Sequence, residues 1–287
     1  MIADSISPNG HRLCTIQCTL WRPLLAELNT YRDFSRNGAS SRARSVKKTL
    51  QEVLENGAGP SEFRRERRGM SGGEVLTGQE RNLAEAIWHG ARLDALHRAQ
   101  ALVDMGVHKS IVNRLIEPFM WHTHVITATN WDNFIEQRLA LLEDGTPAAD
   151  PDMYKLALAV KEALDNSTPT PLEYGQWHMP YIQQRDVLLA QRFVDHNMDK
   201  DEVLRRVSVA RCAGTSYLTQ GKEHRDLADD LRIFGSLRGA NPPHWSPFEH
   251  IARPVSYRGM VPARRFNLTG WASLRWFLEN DIPVDRT

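Results

Sequence analysis

The sequence is short of cysteine, of long apolar runs and of net charge, and each shortage removes a class of protein. Three cysteines in 287 residues, Cys14, Cys18 and Cys212, are too few for a disulfide framework. The spacing of the first two fits neither a redox pair nor half of a zinc ribbon. All three are expected to be reduced and to serve as small apolar filler. No stretch approaches the roughly 18–20 apolar residues of a membrane span, and residues 1–11 lack a basic flank followed by an apolar signal core. A cytoplasmic protein without membrane contact is the expectation. The 36 Lys and Arg nearly cancel the 35 Asp and Glu. No global field then draws in nucleic acid, and any anion must be held by a local site. Internal repeats and low-complexity tracts are missing as well.

What is present is an apolar content of 41%, enough for a substantial core. Residues 11–21 carry β-branched and apolar residues in a short run, which predicts a strand. Pro23 then opens Leu24, Leu25, Leu28 and Arg32 at helical spacing, predicting a helix that ends near Asn37-Gly38. Ser40, Ser41 and Arg42 lead into a basic helix ending about Glu55. Residues 56–80 are rich in Gly and Arg without apolar periodicity, which predicts a long loop, either a lid or a solvated segment. Leu83, Ile87, Leu96 and Val103 predict an amphipathic helix, and a further helix runs from about Lys109 through Trp121, with Pro118 bending or ending it. Helices follow near Asn130, over residues 154–164 and over residues 183–194. Asp199 with Glu202 three residues on reads as a capping box for a helix reaching about Ala213. Beyond Gly235, proline and glycine break the chain until Trp271, Leu274, Phe277 and Leu278 resume a helix. Helices with a few strands predict an α+β chain, mainly helical around a small mixed or antiparallel sheet, as a single domain over 1–287.

The densest polar cluster runs from Tyr31 to Arg42. A Gly-containing turn, several hydroxyls and three guanidiniums in twelve residues can surround one anion with backbone N–H groups and fork-shaped donors, which suits a phosphate. Two other clusters admit competing readings. Trp121-His122-Thr123-His124 invites a metal, yet two histidines without a third ligand at a recognisable spacing are more often surface or satisfied core groups, so no metal is expected. Arg64-Arg65 and Arg67-Arg68 invite nucleic acid, but a short solvated charge run is the commoner outcome.

The Tyr31–Arg42 cluster resembles the signature of the flavin-dependent thymidylate synthases, which is Arg-His-Arg, seven residues, Ser and a further Arg two positions on, with an inner Ser and Asn. Arg32, Ser35, Asn37, Ser40 and Arg42 keep that spacing. Thr30 and Tyr31 stand where the family has Arg and His, and Gly38 stands where many members have Glu. Four further segments are similar to family segments. They are residues 112–117 around Arg114 with Pro118 following, Trp131-Asp132-Asn133-Phe134 with Arg138, residues 210–217 ending in Ser216-Tyr217, and His244-Trp245-Ser246-Pro247-Phe248-Glu249-His250. The last two come first in the family order and last here, so the chain resembles a circular permutant of that fold, a rearrangement tolerated where original termini lie close together.

The resemblance implies reductive methylation of carbon 5 of uracil in dUMP, with FAD as cofactor and with methylenetetrahydrofolate and NADPH as co-substrates. It implies a homotetramer whose sites lie at subunit junctions. Arg32, Ser40, Ser41, Arg42, Arg114 and Arg138 would hold the nucleotide, with Arg138, Ser40 and His244 nearest the chemistry. Ser216, His244, Ser246, Glu249, Asn133 and Asn37 would serve the flavin. Ser246-Pro247 also reads as a plain helix cap. The missing Arg, His and Glu remove charge and bulk beside the nucleotide, so UMP becomes a credible substrate beside dUMP. Two other classes stay open: a non-catalytic nucleotide-binding homologue, and a metal-dependent nucleotide hydrolase using the histidines.

Overall fold

A computed structural model describes residues 1–196, 198–217, 226–256 and 267–284. The chain opens with strand β1 (Ala3–Ile6) and the ten-residue β2 (Arg12–Trp21), paired antiparallel. In β2, Cys14, Ile16 and Leu20 face an apolar layer while Thr15 faces the other side, the period of two expected of a pleated strand. Pro23 sits in a 3-10 turn that leads into a single helical turn, α1 (Leu25–Leu28). The predicted helix does not continue to Asn37-Gly38. Residues Ser35–Gly38 form strand β3 instead. Four polar and small residues carry no strand propensity of their own, and their extended form comes from pairing with a neighbour rather than from local preference.

After a turn at residues 41–43 come α2 (Val46–Asn56), the long α3 (Gly78–Asp104) and α4 (Lys109–Leu115). Here too the sequence expectation is corrected. The helix from Lys109 stops at Leu115, Pro118 lies in a 3-10 turn, and Trp121 begins strand β4 (Trp121–Ala128), which is buried in the sheet. Helices α5 (Asp132–Leu139) and α6 (Pro151–Asp165) follow as expected, with Asp150 capping α6 by accepting from the N–H groups of Asp152 and Met153. A two-residue strand β5 (Thr170–Pro171), α7 (Gln184–Leu189), α8 (Lys200–Tyr217) and α9 (Leu227–Gly239) precede the hairpin-like pair β6 (Ala252–Pro254) and β7 (Trp271–Ser273), and α10 (Leu274–Glu279) closes the described chain. The Asp199 side chain accepts from the N–H of Glu202, as the capping reading expects. The architecture is α+β, helix outweighing strand.

The main sheet has the order β3-β4-β2-β1-β5, antiparallel except for the parallel β1–β5 pair. One face carries the principal core, where Ile16, Leu20 and Ile126 meet Leu24, Leu28, Phe34, Phe134 and the Met153, Ala157 and Val160 side of α6. The other face meets α8 and the C-terminal segments, and the contact there begins with a polar layer. Ser5 Oγ lies 2.8 Å from His178 Nδ1, His178 Nε2 lies 2.8 Å from Thr15 Oγ1, Thr15 lies 2.7 Å from Thr127, and Thr127 lies 2.8 Å from His250 Nδ1. All five side chains are buried. Behind them, Phe248, Ile251 and Trp177 join α8, α9 and α10 in a second apolar cluster.

A buried ion network fixes α7, α8 and α9 to one another. Arg211 forks onto both oxygens of Asp186 at 2.6 and 2.8 Å and reaches Asp230 at 2.9 Å, both carboxylates being fully buried. Hydrogen bonds and the charge of Arg211 hold Asp186 below the usual carboxylate range against the opposing effect of burial, which is the largest single influence on it.

The Gly/Arg segment between α2 and α3 is a loop, as expected, but a pinned one. Arg65 N–H donates to Glu74 O, Leu76 N–H to Phe63 O, Ser61 N–H to Asp152 of α6, and Arg64, Arg65 and Arg67 pair with Glu62, Glu80 and Asp144. Three of its four arginines are thereby neutralised locally. No helix among the described residues is long and apolar enough to cross a membrane.

Candidate functional site

Three groups of the expected site residues emerge, each positioned by a different part of the sheet. The first lies where the chain leaves α1 for β3. Tyr31, Arg32 and Phe34 form one wall of a cleft of about 500 Å³, and Asn130, just before α5, with Asn133 and Gln137 on that helix form the other. Aromatic packing shapes this place: Phe34 contacts Trp131 at 4.7 Å and Phe134 at 5.5 Å between ring centroids, and Tyr31 meets Phe134 edge-on at 5.0 Å. Arg138, on the last turn of α5, sits behind Tyr31 with its guanidinium 5.3 Å from the ring centroid and donates to Glu27 Oε2 at 3.0 Å. Burial raises the Glu27 carboxyl above its ordinary value, with Arg138 pulling the other way. Arg32, Asn133 and Arg138 thus belong to one region, and Glu27, which no sequence feature marked, is part of it.

The second group lies beyond the other end of β3. Ser40 and Arg42 are exposed, Ser40 Oγ accepting from the backbone N–H of Arg42 at 3.3 Å. Ser41 is buried, and its carbonyl accepts from Asn113 Nδ2 at 2.8 Å. The same amide reaches Arg44 O at 3.1 Å, so α4 is tied to this turn and presents Arg114, exposed, one residue further on.

The third group involves the C-terminal segments. Asn37 is buried in β3 and donates from Nδ2 to Cys212 O at 2.7 Å and to Thr215 Oγ1 at 3.2 Å, fastening the end of α8 to the sheet. The 3-10 turn Ser246–Glu249 packs on β3 and α8. Glu249 pairs with Arg275, whereas His244 and Ser246 are exposed. The reading of Ser246 as a helix cap is corrected: Trp245 occupies the cap position and no side chain caps the turn. The Ser216 side chain lies outside the described residues. Among the one-chain contacts, β3 is the hub: Arg32 precedes it, Asn37 lies in it, Ser40 to Arg42 follow it, and both C-terminal motifs touch it.

A fourth feature is the histidine pair weighed from sequence as a metal site or as satisfied core groups, without the strand that carries it being recognised. His122 and His124 stand two apart on β4, and both are buried. His122 Nε2 lies 2.9 Å from His124 Nδ1, and Arg22 Nη1 lies 3.0 Å from His122 Nδ1. Gly38, paired with His124 across the strands, has no Cβ, and one placed there would fall 2.5 Å from both ring nitrogens. Burial first, then neighbouring positive charge, pushes His122 down to about 3 and His124 down to about 4. A strand period of two would have shown the pair facing one way, had β4 been recognised. Among the described residues no three His, Cys, Asp or Glu groups gather as a metal site.

All three cysteines are free thiols, Cys14 and Cys212 buried and Cys18 half-buried, with Cys14 donating to Asp4 Oδ1 at 3.3 Å. Burial pushes Cys14 and Cys18 up to about 12 and raises Cys212 as well. None is a ready thiolate nucleophile. No protein-family model matches this sequence, and no curated protein matches it.

Proposed function

We propose that the chain is a flavin-dependent enzyme that reductively methylates carbon 5 of uracil in dUMP or UMP, with a thymidylate synthase-like fold in permuted order. The observation that carries this reading is the meeting of sequence-distant motifs at β3. Asn37 from the Arg-Ser signature binds the end of α8, and the Ser246–Glu249 turn packs on the same strand. That is the arrangement a permutant of the family requires, since segments that open the family sequence must still reach the strand they normally precede.

The residues present suit a flavin and a pyrimidine monophosphate. The cleft at Tyr31 offers aromatic walls for a flat ring and the amides of Asn130, Asn133 and Gln137 for its polar edge. FAD, when bound, supplies the hydride, with methylenetetrahydrofolate giving the carbon and NADPH the reducing equivalents. The protein's part is then to bind, orient and polarise. Arg32 and Arg138 bring guanidinium forks to one region, fit for phosphate or for uracil carbonyls that gain negative charge. Ser40, Arg42 and Arg114 face solvent in one chain, which suits a site completed by a neighbouring subunit of a homotetramer. The raised thiols support a route without a cysteine nucleophile.

Purified protein should be yellow with flavin absorbance and should release tritium from carbon-5-labelled dUMP or UMP in the presence of methylenetetrahydrofolate and NADPH. A colourless protein that takes up no added FAD would refute the reading.

A further inference from the structure

We propose that Arg36 and His124, on neighbouring strands of the main sheet, form a binding site for an oxyanion, a phosphate or carboxylate group. The register pairs Arg36 with Ile126 and Gly38 with His124. Alternation places Arg36, Gly38 and His124 on one face, with Arg36 and His124 as diagonal neighbours, a cross-strand spacing of roughly 7–8 Å. Asn37, between them in sequence, points the other way into α8.

The hydrogen-bond polarity on that face is fixed. A guanidinium has only donors, so Arg22 Nη1 must donate to His122 Nδ1. His122, neutral, then carries its proton on Nε2 and donates it to His124 Nδ1. The proton of neutral His124 is left on Nε2. That atom is buried without any hydrogen-bond partner among the described residues, in a side chain only 7% exposed. A buried donor left unpaired is costly, and an acceptor oxygen removes the cost.

Arg36 supplies the charge. It is half-buried, donates Nη1 to Leu28 O at 3.0 Å, and has no carboxylate within ion-pairing distance among the described residues. Glu249, the acid that influences it electrostatically, is committed to Arg275. The other cations near the imidazoles are already paired, Arg22 with Glu117 and Arg44 with Glu52. Arg36 is therefore the guanidinium available to an incoming anion, and the His124 N–H is the neutral donor beside it.

The site is tested on the full chain with isotope-labelled histidine, without flavin or nucleotide, so a failed flavin reading leaves this outcome independent. Inorganic phosphate is titrated first and acetate in a separate arm, with the His124 Nε2–H resonance as the readout. A saturable shift with phosphate is expected, weakened roughly tenfold or more in Arg36→Gln and partly restored in Arg36→Lys. An equal response to acetate alone supports the site and assigns it to carboxylates. Arg68→Gln, in the exposed loop, should leave the titration unchanged. Should Arg36→Gln fail to fold, the wild-type response decides: a saturable shift at His124 supports the site. No shift with either anion, or undiminished binding in a folded Arg36→Gln, overturns it.

Discussion

Acid should unfold this protein at a pH where most carboxylates are still ionised, because its interior stores neutral imidazoles. His178 and His250 are buried completely, and burial carries each from an ordinary 6.5 down to about 3. Below 6.5 the unfolded chain takes up a proton at each ring and the folded chain does not until near 3. Stability is therefore complete above 6.5 and is lost progressively as pH falls through that window. Per ring the loss approaches about 1.4 kcal/mol per pH unit, so at pH about 5.5 the two rings together cost about 3 kcal/mol. His122 and His124, depressed for the same reason, add a similar amount. Against a typical total of about 5–15 kcal/mol this is a large fraction. The paired aspartates Asp4 and Asp186, held low, stabilise the fold above the ordinary carboxylate value of 3.8 and begin to lose that stabilisation only as the pH falls to it and below. Urea unfolding at a series of pH values gives the slope directly, and His178→Gln should make it shallower by about one proton. A wild-type stability that is flat between pH about 6.5 and 4.5 would refute the reasoning, as would a slope unchanged in the variant.

Arg211→Met takes the shared guanidinium away from the buried Asp186 and Asp230 and should destabilise by about 3–5 kcal/mol, read as a fall in Tm. Asn37→Leu removes the tie between β3 and α8 and should cost about 1–3 kcal/mol, with faster amide exchange in the last turn of α8. Gly38→Ala forces a methyl against His122 and His124 and should cost about 1–3 kcal/mol in chemical denaturation while shifting both ring resonances. Glu27→Gln weakens the hold on Arg138 and, in the proposed enzyme, should tighten dUMP or UMP binding, measured by calorimetry; weaker binding would show that Glu27 serves the ligand instead.

The elements that sequence exposed are those whose own residues dictate them. β2 has its β-branched run, α6 its apolar stripe, and α8 its Asp199 cap, whereas the Asp150 cap that starts α6 at Pro151 shows only in the structure. β3 was hidden because Ser-Arg-Asn-Gly becomes a strand only through β4, and β4 was hidden because it starts with a polar Trp-His-Thr-His stretch just after a helix and a proline. Site residues fared likewise. Arg32 and Asn133 share a cleft, whereas the parts of Glu27 and Arg36 depend on strand register and long-range packing that no local pattern encodes, and the histidine pair was legible only once β4 was known to be a strand.

The row of side chains from Ser5 to His250 carries a further constraint. With both rings uncharged, each member owns a single mobile hydrogen, and the Thr15–Thr127 contact can be directed only one way at a time. If Thr15 gives to Thr127, both rings hold their hydrogen on Nε2; if Thr127 gives to Thr15, both hold it on Nδ1. Two imidazoles distant in sequence are thus obliged to match, and replacing Thr15 by valine would let each choose alone.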